Sequence, residues 1–209
     1  MKNQITIDPI TRLEGHGKIE IFLDKEGAVE NVYFQVPELR GFEKFCEGRP
    51  VEEVSQIVTK ICGVCPGCHH MASGKAADAV YGLTPPPTAR KLRELFYMAH
   101  FVHSHIAHFY ALAAPDFVVG PTASPQERNL LGVIGKVGKD VVAEVIKQRR
   151  YAQEIQALLG GHQTHVVMNI PGGVRRGLSE EEREDIEKKA AGFVDFAKFS
   201  LQLFENVVL

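Results

Sequence analysis

Alternation and helical spacing divide the chain into a short β region and a longer helical one. Ile5-Thr6-Ile7 alternates, and Ile19, Ile21 and Leu23 share one face of a strand that starts at Gly17. Val32, Phe34 and Val36 share a face of residues 28–36, so Lys25-Glu26-Gly27 predicts the turn of a hairpin, and Pro37 closes the sheet region. Helical spacing follows. Residues 51–59 predict a helix that leads into a cysteine-rich run, and residues 65–81 predict one that leaves it, closed by Gly82 and Pro85-Pro86-Pro87. From Thr88 to Ala114, Leu92, Leu95, Phe96, Ala99, Val102, Ile106 and Phe109 recur on one helix face, which predicts a buried helix. Ser124-Pro125-Gln126-Glu127 reads as a capping box that starts another helix, with a break near Gly138 and a close at Gly160-Gly161. A last helix begins at Ser179, capped by Glu182 and supported by Glu184 with Lys188 and Asp185 with Lys189. Its stripe of Phe193, Phe196, Phe199, Leu203 and Phe204 needs a cover.

The fold class expected is α+β: an antiparallel β region over residues 1–38, then a packed helical bundle over 39–209, the whole forming one structural domain. At 209 residues and 44% hydrophobic content the chain can bury a substantial core, and a net charge of −2 gives no reason to expect a nucleic-acid or anionic-membrane partner. No apolar run approaches the roughly 20 residues that span a bilayer, and residues 1–10 contain no extended apolar signal region. The four cysteines suggest thiols kept reduced, as in cytoplasm, and not a disulfide framework.

The chemistry concentrates in Lys60-Ile61-Cys62-Gly63-Val64-Cys65-Pro66-Gly67-Cys68-His69-His70. Two thiolates three residues apart converge on one soft metal, and Gly63 between them favours a close bend. A Cys-x-x-Cys pair is half of a zinc site, but four donors drawn from so short a run are cramped. Cys62, Cys65 and Cys68 have iron–sulfur spacing, but Ala72 stands where the fourth Cys belongs. A redox dithiol wants a βαβ setting that the pattern lacks. The four histidines at 100, 103, 105 and 108 spread over more than half of a helix circumference, so they cannot share one ion and read as packing residues.

The flanking motifs decide among the metal readings. Asp8-Pro9-Ile10-Thr11-Arg12-Leu13-Glu14-Gly15-His16, Arg40-Gly41-Phe42-Glu43, the Cys-x-x-Cys run, His103-Ser104-His105-Ile106-Ala107-His108-Phe109-Tyr110, Ala113-Ala114-Pro115-Asp116-Phe117 and Pro171-Gly172-Gly173 occur in order. With them the chain resembles the large subunit of nickel–iron hydrogenases along essentially its whole length, and within these the cytoplasmic, viologen-reducing branch of anaerobes that feeds heterodisulfide reductase. The resemblance implies Cys62 as a terminal nickel ligand, Cys65 as a thiolate bridging nickel to an iron that carries cyanide and carbon monoxide, and His69 as a hydrogen-bonding neighbour of that cofactor. It also implies Glu14 as a proton relay and Glu43 as a magnesium ligand. Soft sulfur stabilises several nickel oxidation states, and a hard carboxylate suits magnesium. Electrons would leave through a small subunit that carries iron–sulfur clusters, with further electron-transfer subunits beyond it.

Three departures stand out. Lys60 replaces a family Arg, a point charge for a planar fork. Ser104 replaces the Asp of many periplasmic members, and in this family the small subunit carries the export signal for both. Only two of four nickel thiolates are present; the second Cys-x-x-Cys is expected on another polypeptide or a further segment, unless the chemistry has been lost. The alternatives are a hydrogenase-like structural subunit without metals, whose known kin lack these cysteines, and a zinc or iron–sulfur module.

Overall fold

A computed structural model describes residues 3–209, which divide into two compact units at Glu43/Lys44. The first unit is a three-stranded antiparallel sheet in the order β1 (Asn3–Ile7), β2 (Lys18–Leu23), β3 (Val29–Gln35). The predicted hairpin is β2–β3, with Ile19 opposite Phe34 and Ile21 opposite Val32, so the alternating apolar positions pair on one face. Its turn is held by Asp24, whose Oδ1 accepts from the Glu26 and Ala28 amides at 3.0 and 2.8 Å, and Gly27 takes φ 85° there. Only the central strand is half-buried; β1 and β3 are exposed along their length.

The second unit is helical. Short α1 (Phe42–Cys46) is followed by α2 (Val51–Ile57), which tightens into a 3₁₀ turn at Val58–Ile61 before the cysteines. Next come α3 (Pro66–Val80), α4 (Pro87–Ala107), α5 (Leu130–Val137), α6 (Lys139–Gly160) and α7 (Glu180–Val207). The capping box that opens α7 forms as the sequence predicts: Ser179 Oγ accepts from the Glu182 amide at 3.2 Å and Glu182 Oε2 from the Ser179 amide at 2.8 Å. Lys189 pairs with Asp185 at 2.7 Å and reaches Glu154 of α6 at 3.0 Å.

Two expected boundaries are corrected. The helix expected to run to Ala114 ends its α winding at Ala107 and continues as π turns over His108–Ala113 and Pro115–Val119, with the Ala114 amide donating to Phe109 O, five residues back. Apolar residues there surround the axis, so no 3.6 period marks the change. The helix expected from Ser124 begins instead at Leu130, because Asn129 caps it with Oδ1 accepting from the Leu131 and Gly132 amides at 2.9 and 3.2 Å. Ser124 closes only a turn, its carbonyl accepting from Glu127 and Arg128. The break at Gly138 is present, with φ 86°.

The core of this unit joins four helices and the loop after α6. Met71, Phe96, Ala99, Ile155, Leu159, Val166, Met168 and Ile186 are buried together, and each large side chain contributes about 1.5–3 kcal/mol. A second cluster packs Ile106 and Tyr110 on Phe196, with the Tyr110 and Ser200 hydroxyls 2.7 Å apart. So part of the aromatic stripe of α7 is covered by α4 and the π turns. Phe199 and Leu201 remain exposed.

Candidate metal centre

The sequence places its cysteines where a helix begins. The 3₁₀ turn releases the chain at Cys62 into extended backbone, φ −134° and ψ 133°, and Cys65 becomes the residue that caps α3. Pro66 occupies the first helical position, where the missing N–H costs nothing because no intrahelical partner exists for it. The bend across Gly63 is made outside the left-handed region of φ. The Cys65 amide donates to Cys62 Sγ at 3.1 Å, so the start of the helix faces a sulfur. His69 follows one helical turn after Cys65. Ligand atoms of Cys62, Cys65 and His69 all lie within 4.8 Å of one another, and each residue is half-buried. Two soft thiolates and an imidazole suit a nickel- or zinc-class ion, and the donor set therefore fits the group that the motif implies.

The neighbours of this trio are engaged elsewhere. Cys68 accepts from the Tyr97 hydroxyl with Sγ at 3.7 Å. That contact, with burial, holds the Tyr97 phenol above its usual pKa. His70 is fully buried; its Nδ1 donates to Ser55 O at 3.1 Å, and its Nε2 accepts from the Met168 and Asn169 amides at 2.9 and 2.8 Å. These contacts fix a neutral tautomer. Burial pushes its pKa down, opposed by the Ser55 bond and reinforced by the Arg93 charge. His70 thereby ties α2 and α3 to the loop that follows α6. His165 Nδ1 adds a second tie, 2.7 Å from Thr59 O beside the cysteine run.

That loop contains a small hairpin of β4 (Asn169–Ile170) and β5 (Gly173–Val174), with Pro171-Gly172 at its turn. It is anchored by a buried ion pair that sequence reasoning missed. Arg93 Nη1 donates to Asp78 Oδ2, Arg93 also donates to the carbonyls of Ile170 and Gly173, and the Gly172 amide donates to Asp78 Oδ1 at 2.7 Å. Burial alone pushes the Asp78 pKa up, but the hydrogen bonds from Arg93 and Gly172 and the Arg93 charge outweigh it and hold the carboxyl below its usual range. A charged pair at 78 and 93, 15 residues apart on two helices, leaves no local pattern that would have revealed it.

His100 and His103 are buried between α4 and α6, while His105 and His108 are exposed. His100 Nδ1 lies 3.1 Å from Gln156 Oε1. Burial depresses both buried rings, His103 to about 4 with help from the Arg149 and His100 charges.

Glu14 and Glu43 belong to the first unit. Glu14 is exposed in the connection between β1 and β2. Glu43 is paired: Oε1 accepts from Arg40 Nη2 at 2.8 Å and Oε2 from the Gly41 amide at 3.3 Å, and the Arg40 hydrogen bond leads in holding its carboxyl below the usual range.

A family model described as nickel-dependent hydrogenase matches residues 40–129, the segment that carries the trio, and one described as HoxL-like matches residues 4–39. The chain belongs to the nickel-dependent hydrogenase family. It is 50% identical over 206 residues to an iron-sulfur subunit of an F420-non-reducing hydrogenase from Archaeoglobus profundus, covering 99% of this chain and 42% of that one. It is 47% identical to a vhu subunit of an F420-non-reducing hydrogenase from Methanocaldococcus jannaschii, covering 98% and 49% respectively. Among solved structures, an NAD+-reducing [NiFe]-hydrogenase in the H2-reduced state superposes with a TM-score of 0.85 at 36% identity, over 98% of this chain and 46% of that one. The chain thus spans less than half the length of the hydrogenase relatives it matches, and it corresponds to their amino-terminal half. No helix among the described residues is long and apolar enough to cross a membrane.

Proposed function

We infer that this chain supplies the amino-terminal part of a nickel–iron hydrogenase large subunit, working in the cytoplasm in reversible heterolysis of hydrogen. The observation that carries this is the convergence of Cys62, Cys65 and His69 at the start of α3. A nickel–iron group with cyanide and carbon monoxide on its iron supplies, when bound, the redox-active and polarising centre that the reaction needs. Cys62 would hold nickel as a terminal thiolate and Cys65 would bridge the two metals. A thiolate is basic enough to take up the proton released when hydrogen splits, and Glu14 passes it on as a carboxyl group. His69 would orient the site from beside it, and Glu43 would offer a carboxylate oxygen to a magnesium ion. Electrons leave through a small subunit with iron–sulfur clusters, toward further electron-transfer subunits and heterodisulfide reductase. Two more thiolates come from the segment that carries a second Cys-x-x-Cys.

The test is substitution in the assembled enzyme. Cys62→Ser and Cys65→Ser are each expected to abolish hydrogen uptake, since a neutral hydroxyl does not replace a metal-bound thiolate at neutral pH. Turnover with nickel retained in either variant removes that residue from the ligand set. Metal analysis of anaerobically purified complex separates the alternatives: nickel supports this function, zinc a structural module, and neither a subunit that has kept only the fold.

A further inference from the structure

We propose that His165, on the loop after α6, is a positioning residue for Cys62: its imidazole braces the turn that delivers the cysteine to the site. This deepens the role given to Cys62 above and rests on it, but it assigns the placement of that thiolate to a residue outside the cysteine motif.

The backbone at His165 is the first observation. Among the described residues only Arg12 and His165 take a positive φ without being glycine, His165 at 56°. The left-handed region costs free energy for a residue that carries a Cβ, so the surroundings must hold it there. Those surroundings are firm. Val166 and Met168 are buried, the Val167 amide donates to Gly160 O at 2.9 Å, and the Met168 and Asn169 amides donate to His70 Nε2. The loop is therefore fixed immediately after the bend, and the imidazole stands on an anchored base.

The other end of the brace is equally defined. His165 Nδ1 donates to Thr59 O at 2.7 Å. Thr59 lies in the 3₁₀ turn Val58–Ile61, is 1% exposed, and donates its own hydroxyl to Gln56 O at 2.7 Å. Cys62 follows in extended backbone, so the helical ladder ends at this turn and its last carbonyls need donors from outside it. His165 supplies one. Cys62 is then held from two sides, its Sγ by the Cys65 amide at 3.1 Å and its backbone through the braced turn.

Two variants separate the hydrogen bond from the backbone conformation. Glycine accepts φ 56° and removes the donor. Asparagine also tolerates the left-handed region, and its Nδ2 is attached to Cγ as the histidine Nδ1 is. In the reduced chain, His165→Gly is expected to speed both amide hydrogen exchange over residues 58–65 and alkylation of Cys62 by iodoacetamide, each by about fivefold or more. Exchange in α7 and alkylation of Cys46 should not change, and His165→Asn should restore the parent rates. In the assembled complex, the electron paramagnetic resonance spectrum of nickel should shift in His165→Gly at unchanged nickel content and return in His165→Asn. Parent rates at either readout in His165→Gly would overturn the proposal, and so would His165→Asn behaving like His165→Gly. Loss of protection throughout the chain, α7 included, would also overturn it, because His165 would then serve the fold at large. An unchanged nickel spectrum beside faster local exchange would have the same effect. A complex without nickel would instead remove the hydrogenase function, and the exchange and alkylation rates would still decide whether His165 places Cys62.

Discussion

Asp78 and Arg93 are the residues on which the loop beside the metal motif depends, and they illustrate how much a single buried pair can organise. Each is within 10% of complete side-chain burial, yet the pair is saturated with backbone partners from the β4–β5 turn, so neither charge is left uncompensated. The buried histidines of α4, His100 and His103, act differently, because burial holds both below the ordinary imidazole pKa. His103 is held neutral down to about pH 4, whereas its unfolded value is 6.5. Above pH 6.5 both states are neutral and the folded state is fully stable in this respect. Below it the unfolded chain takes a proton that the folded chain refuses, so unfolding free energy falls as pH drops from 6.5 toward 4, by up to about 1.4 kcal/mol per unit. Urea unfolding across that range is expected to show the decline, and His103→Leu to flatten it by about one proton. Arg149 and His100 are the charged and titratable groups that depress this ring. Glu14 sets a second test at this scale. Under the proposed function, the assembled complex carrying Glu14→Gln should keep its nickel while hydrogen turnover falls by about a hundredfold or more, because the amide keeps the carboxylate's shape and carries no proton. Full activity in that variant would move the proton exit to another group.

At the scale of elements, α3 is placed by what its glycines leave out. A Cβ on Gly67 would stand 2.9 Å from His100 Nδ1, and one on Gly74 would stand 2.4 Å from Asn169 Nδ2 and 2.8 Å from Asn169 Cβ. The first lets α4 approach the cysteine end of α3, and the second seats the β4 strand on its middle. Asn169 cannot step aside, because its amide is bound to His70 Nε2 and its Nδ2 to His70 O at 3.3 Å. Gly→Ala in a helix ordinarily gains up to about 1 kcal/mol. At Gly135 of α5, with nothing within 4 Å, that gain is expected in full. At Gly74 the overlap costs about 1–3 kcal/mol and reverses the sign. Thermal or urea unfolding of the two variants measures the contrast, and a stabilised Gly74→Ala would mean that β4 is not held against α3.

Over the whole molecule, the second unit has more apolar surface than its own elements cover. Phe101, Ile106, Phe109, Phe196, Leu201 and Phe204 line a groove of about 740 Å³ between α4 and α7. Leu201 is 66% exposed. A patch of this kind binds apolar probes. The chain alone is expected to enhance the fluorescence of a hydrophobic dye, and Leu201→Glu with Phe199→Glu to lower it without loss of helical circular dichroism. Unchanged dye binding in the double variant would place the apolar surface elsewhere, for example on the exposed β3 strand of the first unit, where Phe34 is 61% exposed.

The sequence by itself determined what depends on neighbours along the chain. Period-two and helical spacing placed β2, β3, α3 and α7, the Ser179 box formed because both of its hydrogen bonds are local, and the Cys62–Cys65–His69 spacing put three donors at one helix start. Only tertiary structure decided the rest. Asn129, and not Ser124, caps α5 because its Oδ1 meets the Leu131 and Gly132 amides, and the apolar surround of Tyr110 hid the change to π winding. Asp78 and Arg93 became partners, and His70, for which spacing along the chain predicts no partner, turned inward to bind the backbone at 168 and 169, 98 and 99 residues away. Burial and long-range hydrogen bonding assign such roles, and neither leaves a period in the sequence.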